Sequence, residues 1–466
     1  MKGWRVKETT AFRLFVALAA ALLYASVGEV SGGDRVNVRG MGMARTSVAV
    51  SLGLDAVGIN PANLALADDA VMTITVLPVG AYLASDFFTY ELYSKYFKDR
   101  PPLLELPDAD KQIILDSFQS PMGSSFAEAT ARLFGITLRV GPTSTVAFTV
   151  DYGLVGAAII PREYARLLLY GNVAGSAFDI DGLAFKAYWA RSYTLSYGEL
   201  LPKPAFLKWL SGGVGVKLVQ GYGYYEIERG TASLRTAGDG RLSGSVTWQA
   251  RWTNANSVSD PMHNLFQDPA GYGLGFDIGI SGGVDDYISF GISLTNIGWV
   301  KWTRDAEELS SDSIVTTNDT DVFKNARSLA NSASAATKKG RAFTSYLPSM
   351  LRFGISAQVN KIAEREEFPG ELLIAAEYLQ GVGADSPLGE QPRLSLGLEY
   401  RPIQWLPIRT GFSVGGSSNS HLSLGLGFNF RSFDFDLATE DVFWLFSGQN
   451  FSTGSVGLGM RFRIPG

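Results

Sequence analysis

The chain has 466 residues with a formal net charge of -5 and only 18% charged residues, so it offers no basic field for nucleic acid. It has no cysteine and only two histidines, His263 and His421. Disulfides, thiolate metal sites and a cysteine nucleophile are excluded, and neither a histidine-based metal cluster nor any other metal or cofactor is expected.

Lys2, Arg5, Lys7 and Arg13 precede the apolar run Leu14 to Leu23, and small residues follow to Gly28. A charged region, a short apolar stretch and a small-residue exit describe a secretory signal peptide over residues 1–28. About ten apolar residues cannot cross a ~30 Å hydrocarbon layer, and no later run reaches ~18. The exported chain is therefore expected to be either soluble or a barrel.

Residues 38–70 come before the first strand. Asn60 reads as an N-cap with Pro61 at the first helical position, starting a short helix through Ala67. Gly40 and Gly42, with Ala44, Ser47 and Ala49, would let this segment lie close against a glycine-lined wall.

From residue 71 onward the chain alternates. His421 to Phe430, HLSLGLGFNF, sets Leu422, Leu424, Leu426, Phe428 and Phe430 against His421, Ser423, Gly425, Gly427 and Asn429. Period two makes a strand with two different faces. The same pattern predicts strands at 71–83, 131–140, 144–154, 183–198, 211–229, 272–281, 287–297, 349–360, 371–380, 392–401, 408–415, 421–430, 432–439 and 453–464. A further stretch, 241–254, would make an odd number. Bacterial single-chain barrels have an even one, so it is assigned to a hairpin with 231–236 across Gly238–Gly240. Fourteen wall strands remain, with long loops at 84–130, 230–270 and 298–348. In the first of these, Phe87, Phe88, Tyr90, Tyr93, Tyr96 and Phe97 could form a capture groove or pack loop on loop, and a helix is expected from Asp108 to Phe118.

A soluble sandwich would turn the leucines inward, whereas a membrane barrel would turn them to lipid and enclose the small and polar face. Trp189, Trp299, Trp302, Trp405 and Trp444 fall near strand ends, as interfacial girdles do. The expected fold is all-β, a 14-stranded antiparallel transmembrane barrel (71–466) with an N-terminal hatch (29–70), placed in the outer membrane.

Arg39-Gly-Met-Gly-Met43 followed by Asn60-Pro-Ala-Asn-Leu64 resembles the start of the FadL-type long-chain fatty-acid transporters and of the related PorV-type barrels. Weaker likeness runs through Tyr346 to Gly354 and Leu406 to Gly411. The resemblance implies a hatch folded into the barrel, a path for solute past Gly40, Gly42, Asn60, Pro61, Ala62 and Leu64, and a wall kink for sideways exit. Gly153 and Gly156 are the candidates for that kink. It further implies passive uptake of a hydrophobic or amphipathic small molecule, or else a PorV-like shuttle or anchor for secreted proteins. The lipid bilayer is a partner in either case.

Enzyme readings are weak. Gly411-Phe-Ser-Val-Gly415 lacks the strand-to-helix turn of a nucleophile elbow. His421 and Ser423 share a face, but opposite the leucines rather than toward lipid, so they are expected to line the lumen. Gly221 and Gly223 lack the third glycine of a dinucleotide loop.

Overall fold

A computed structural model describes residues 34–66, 70–98, 103–171, 175–238, 242–253, 268–317, 338–339, 342–362, 369–382, 392–416 and 420–465. The expected signal peptide, residues 29–33 and His263 lie outside the described residues, as do parts of the three long loops.

The alternating stretches form strands and pair antiparallel in chain order. They are β1 Ala70–Thr75, β2 Val79–Ser85, β3 Met122–Arg139, β4 Ser144–Pro161, β5 Ala177–Leu200, β6 Trp209–Thr236, β7 Leu242–Thr253, β8 Gly271–Gly283, β9 Ile288–Trp302 and β10 Ala306–Thr317. After them come β11 Lys338–Lys339, β12 Phe343–Tyr346, β13 Met350–Gln358, β14 Glu371–Gly381, β15 Arg393–Arg401, β16 Ile408–Gly415, β17 Ser420–Asn429, β18 Phe433–Thr439 and β19 Thr453–Pro465. β1 and β2 are two halves of one wall strand, since each pairs with β19 on one side and β3 on the other. β12 and β13 likewise follow one another along β9. Joined so, the sheet closes on itself through fourteen wall strands, the expected number. β7 pairs with the outer part of β6, in register from Thr236 and Leu242, and β10 pairs with β7; they widen the ring to sixteen strands at the long-loop end.

The two faces decide the environment. Along β8, Tyr272, Leu274, Phe276, Ile278 and Ile280 point out while Gly273, Gly275, Asp277, Gly279 and Ser281 are buried. Leu424 on β17 is 44% exposed, whereas Arg352 and Arg409 on β13 and β16 are 0% and 1% exposed. An outward apolar band around enclosed charges is the reverse of a soluble protein and the pattern of a transmembrane barrel. Trp405 stacks with Phe430 at the short-turn end, 6.2 Å between ring centroids, as an interfacial girdle would.

Two departures have local causes. The expected strand 71–83 is interrupted at 76–78. There Leu77 takes a left-handed φ of 54° and Pro78 has no N–H for the ladder. In β9, three steps from Leu294 to Ile297 face two from Ile278 to Phe276, a one-residue bulge with Asn296 at φ 58°. The extra residue reverses the parity beyond it. Trp299 therefore points outward, while Trp302, expected in the girdle, is buried in the lumen and donates its indole N–H to Ser345 Oγ at 2.9 Å. The loop expected at 298–348 thus contains the end of β9 as well as β10 and β12. The expected helix appears as Asp108–Asp116, and a second, Arg162–Tyr170, follows β4 without having been foreseen.

A charge on the outer face should be costly in lipid. Leu424→Lys is expected to lower folding stability in bilayers by ~2–4 kcal/mol. Denaturant unfolding in lipid vesicles checks this, and an unchanged stability would place Leu424 away from the acyl chains.

Candidate functional site

The lumen is filled from below by residues 34–66, and the wall's inward glycines explain how. Gly425 lets Gly42 approach, because a Cβ at Gly425 would stand 2.9 Å from Gly42 Cα. At Gly411 a Cβ would stand 2.5 Å from the Met43 carbonyl carbon and 2.7 Å from Ala44 N. Gly213, Gly279 and Gly291 receive Pro61, Asn60 and Val48 in the same way, closer than any side chain would permit.

Charges lock the segment in place. Arg39 makes a two-pronged bond to Glu399 on β15 (2.8 and 3.0 Å), and Glu399 also accepts from Arg409 Nε at 2.6 Å. Arg409 continues to Asp436 on β18, Asp436 to Arg461 on β19, and Arg461 returns to Asp55 of the plug. The chain of ion pairs begins and ends in the plug. On another side Asp34 accepts from Arg45 (2.5 Å) and from Arg352 (2.8 Å). Arg352 also holds Glu377, whose second oxygen accepts from the backbone of Ser47 and Val48 (2.5 and 2.8 Å). Arg35 pairs with Glu128 and Glu440. Buried pairs of this kind contribute little over an apolar isostere, yet removing one partner costs ~3–5 kcal/mol.

The residues singled out from sequence fall mainly within this seat. Gly40 is buried, its N–H bonded to Asn37 Oδ1, with Ser47 Oγ where a Cβ would lie. Asn60 is the expected cap, accepting from Ala62 N at 3.2 Å and donating to Ser281 Oγ at 2.8 Å. Pro61 opens a 3-10 helix, Pro61–Leu66, and Leu64 packs with Ala56, Val57 and Ala147. Gly40 and Gly42 lie near β17, while Asn60, Pro61, Ala62 and Leu64 face β5, β6 and β8 across the barrel. Ser423 accepts from Ala44 N at 2.8 Å, and His421 Nε2 lies 3.1 Å from Tyr82 Oη; the two residues are used separately.

Above the plug lies a cavity of about 110 Å³. Its floor is Val36, Val57 and Gly58 of the plug, with Arg132, Asp151 and Lys217 at the side; its upper wall is Val155, Tyr188, Val219 and Leu347. Two apolar clusters roof it. Tyr82, Phe126 and Val155 form one, Val219, Tyr224, Trp302 and Phe343 the other, and Tyr188 packs against both. The lumen is thus ionic around the plug and rich in aromatics toward the long loops, where a further buried ion group, Glu226 with Lys186 (3.3 Å) and Arg251 (2.6 Å), stands beside Tyr224. None of the six path residues expected from sequence lines this cavity. Gly153 does, and pairing runs unbroken through Gly153 and Gly156 on both sides of β4. The interruption lies at 76–78 instead, opposite Gly459 and Met460 of β19, where Thr75 Oγ1 takes the Met460 carbonyl at 2.6 Å.

The loop aromatics pack on each other. Phe87 stacks on Phe118 (4.3 Å), Phe88 meets Phe97 edge-on (5.1 Å), and Tyr96 is buried with its hydroxyl donating to Asp110. A separate open recess of about 540 Å³ lies between the two loop helices, lined by Leu115, Arg162, Arg166 and Phe178 among others.

Because the plug seats backbone to backbone, Gly411→Val should force it off the wall. Planar-bilayer recording is expected to show a new ion leak for Gly411→Val and none for Gly153→Ala, whose added Cβ would have its nearest neighbour at 3.9 Å. Equal conductance in both variants would mean the glycines do not seat the plug.

Known proteins were compared with the chain. Similar solved structures include the Ralstonia pickettii toluene transporter TbuX (13% identity, 94% of this chain and 99% of that one, TM-score 0.43) and a Pseudomonas aeruginosa FadL homologue (11%, 94% and 98%, 0.45). The Pseudomonas putida toluene transporter TodX is similar as well (10%, 94% and 98%, 0.41). These barrels are of the class that the sequence resemblance pointed to; at such scores the architecture rests on the chain's own strand pairings. No curated protein matches the sequence. A family model does, over residues 75–440, from the end of β1 to just past β18. The chain belongs to that family, a family of unknown function designated DUF5723.

Proposed function

We propose that the protein is an outer-membrane channel for passive uptake of small hydrophobic or amphipathic molecules, which leave it sideways into the bilayer. The observation that carries this reading is the position of the cavity: aromatic clusters above, a plug held by ion pairs below, and, across β3, an interrupted wall strand. A solute collected in the cavity has no straight way down, because the plug is tied to wall strands around the ring. The seam at 76–78 is the weak side of the wall. Only backbone bonds to β3 remain there, Leu77 N to Arg132 O and Arg132 N to Pro78 O, both 2.9 Å.

Outside the seam, Val76, Leu77 and Val79 are exposed to the acyl chains. Sideways exit spares an apolar solute the water below, where exposed surface costs ~25 cal/mol per Å². The cavity, about 110 Å³, is of the order of the ~150 Å³ apolar space that admits benzene, which sets the scale of the cargo at about one aromatic ring. The charged side, Lys217 and the Arg132–Asp151 pair, suits a polar end on an otherwise apolar molecule.

Uptake of radiolabelled toluene by cells expressing the protein tests this reading. It is expected to exceed that of control cells severalfold, with glucose uptake unchanged. Equal uptake of toluene in both, or a parallel rise in glucose, would contradict it.

A further inference from the structure

We propose that Arg132 is the gate between the lumen cavity and the seam, a role that rests on the sideways route above. Behind the interrupted wall strand is a second, much smaller space of about 10 Å³, lined by Thr75 and Pro78 of the seam, Gly459 and Met460 of β19, Val38 and Leu54 of the plug, and the ion-paired Asp55, Asp436 and Arg461. That is room for about one water. This space and the 110 Å³ cavity share two lining residues, Val36 and Arg132. Val36 belongs to the wedged plug. Arg132 is therefore the part of the partition that can move.

Its side chain is held across the opening by three attachments. Nε bonds Asp151 Oδ1 at 2.6 Å, Nη2 reaches Oδ2 at 3.4 Å, and Nη1 donates to the Leu54 carbonyl of the plug at 2.8 Å. The stem crosses Gly135, where a Cβ would stand 2.9 Å from Arg132 Cδ. The β3–β4 register shifts between Arg132 and Phe134, so the side chain is aimed from a bulge. The same residue's backbone N–H and carbonyl are the two groups that clasp Pro78 and Leu77. One residue thus closes the inner opening with its side chain and braces the outer one with its backbone. Asp151 lies on the cavity side, with its side chain 21% exposed, so the tie can be loosened from the space that the solute occupies.

The chain's lack of cysteine allows a test that needs no cargo. Val38→Cys places a single thiol in the small space but not in the cavity. In proteoliposomes, its labelling by N-ethylmaleimide is expected to quicken severalfold when Arg132→Ala is added. Asp151→Asn, which keeps the arginine but weakens its tie, should act in the same direction and guards against misfolding of the alanine variant. Labelling rates unchanged in both variants would overturn the gate. Gated labelling without toluene uptake would leave the gate standing and overturn the uptake reading alone.

Discussion

A wall that turns leucine and isoleucine toward lipid must enclose its polar face, and that face must find partners away from bulk water. Here the partners are supplied largely by the chain's own N-terminal segment. Arg39, Asp34, Arg35 and Asp55 each meet a wall charge, and one run of pairs passes from the plug through β15, β16, β18 and β19 and back to the plug. The glycines follow from the same constraint. Gly213, Gly291, Gly411 and Gly425 stand where the plug's backbone touches the sheet, while others, such as Gly221 against Trp302 and Gly283 against Trp209, make room for wall side chains.

This arrangement divides the lumen. Most of the enclosed charge lies where the plug sits, and Val155, Tyr188, Val219 and Leu347 line the space above, backed by the cluster of Tyr224, Trp302 and Phe343. Such a division answers an apparent conflict in the sequence, where inward positions carry both arginines and aromatic residues. In the proposed route the ionic layer would hold back ions and polar solutes, while the aromatic layer would offer a place to molecules that prefer lipid.

Local rules carried much of the architecture. Period-two patterning located every wall strand, although β3 begins nine residues before its expected start and β4 and β6 run seven past their expected ends. The pairing of 241–254 with 231–236 is as expected, but β7 also pairs with β10 and joins the ring at the long-loop end. The failures are also local in origin but invisible to parity. A single extra residue at Asn296 sends Trp302 inward, and a left-handed Leu77 before Pro78 breaks a stretch that alternates cleanly on paper. The site itself was mostly hidden. Arg39 and Glu399 are 360 positions apart, and nothing near either names the other. The Arg39–Met43 and Asn60–Leu64 motifs signalled the plug, yet the residues lining the cavity, Val36, Val57, Arg132 and Lys217, belong to no motif. Gly153 was singled out as a candidate wall kink, and it lines the cavity.

The central claim is the inversion of faces, and adjacent positions on β17 test it most directly. A single cysteine at Leu424 or at Ser423, labelled with an environment-sensitive fluorophore in vesicles, can be read with a quencher carried on lipid acyl chains. The account predicts strong quenching at position 424 and little at 423, where the side chain meets Ala44 and Gly42 of the plug. Strong quenching at 423 with a shielded 424 would contradict it.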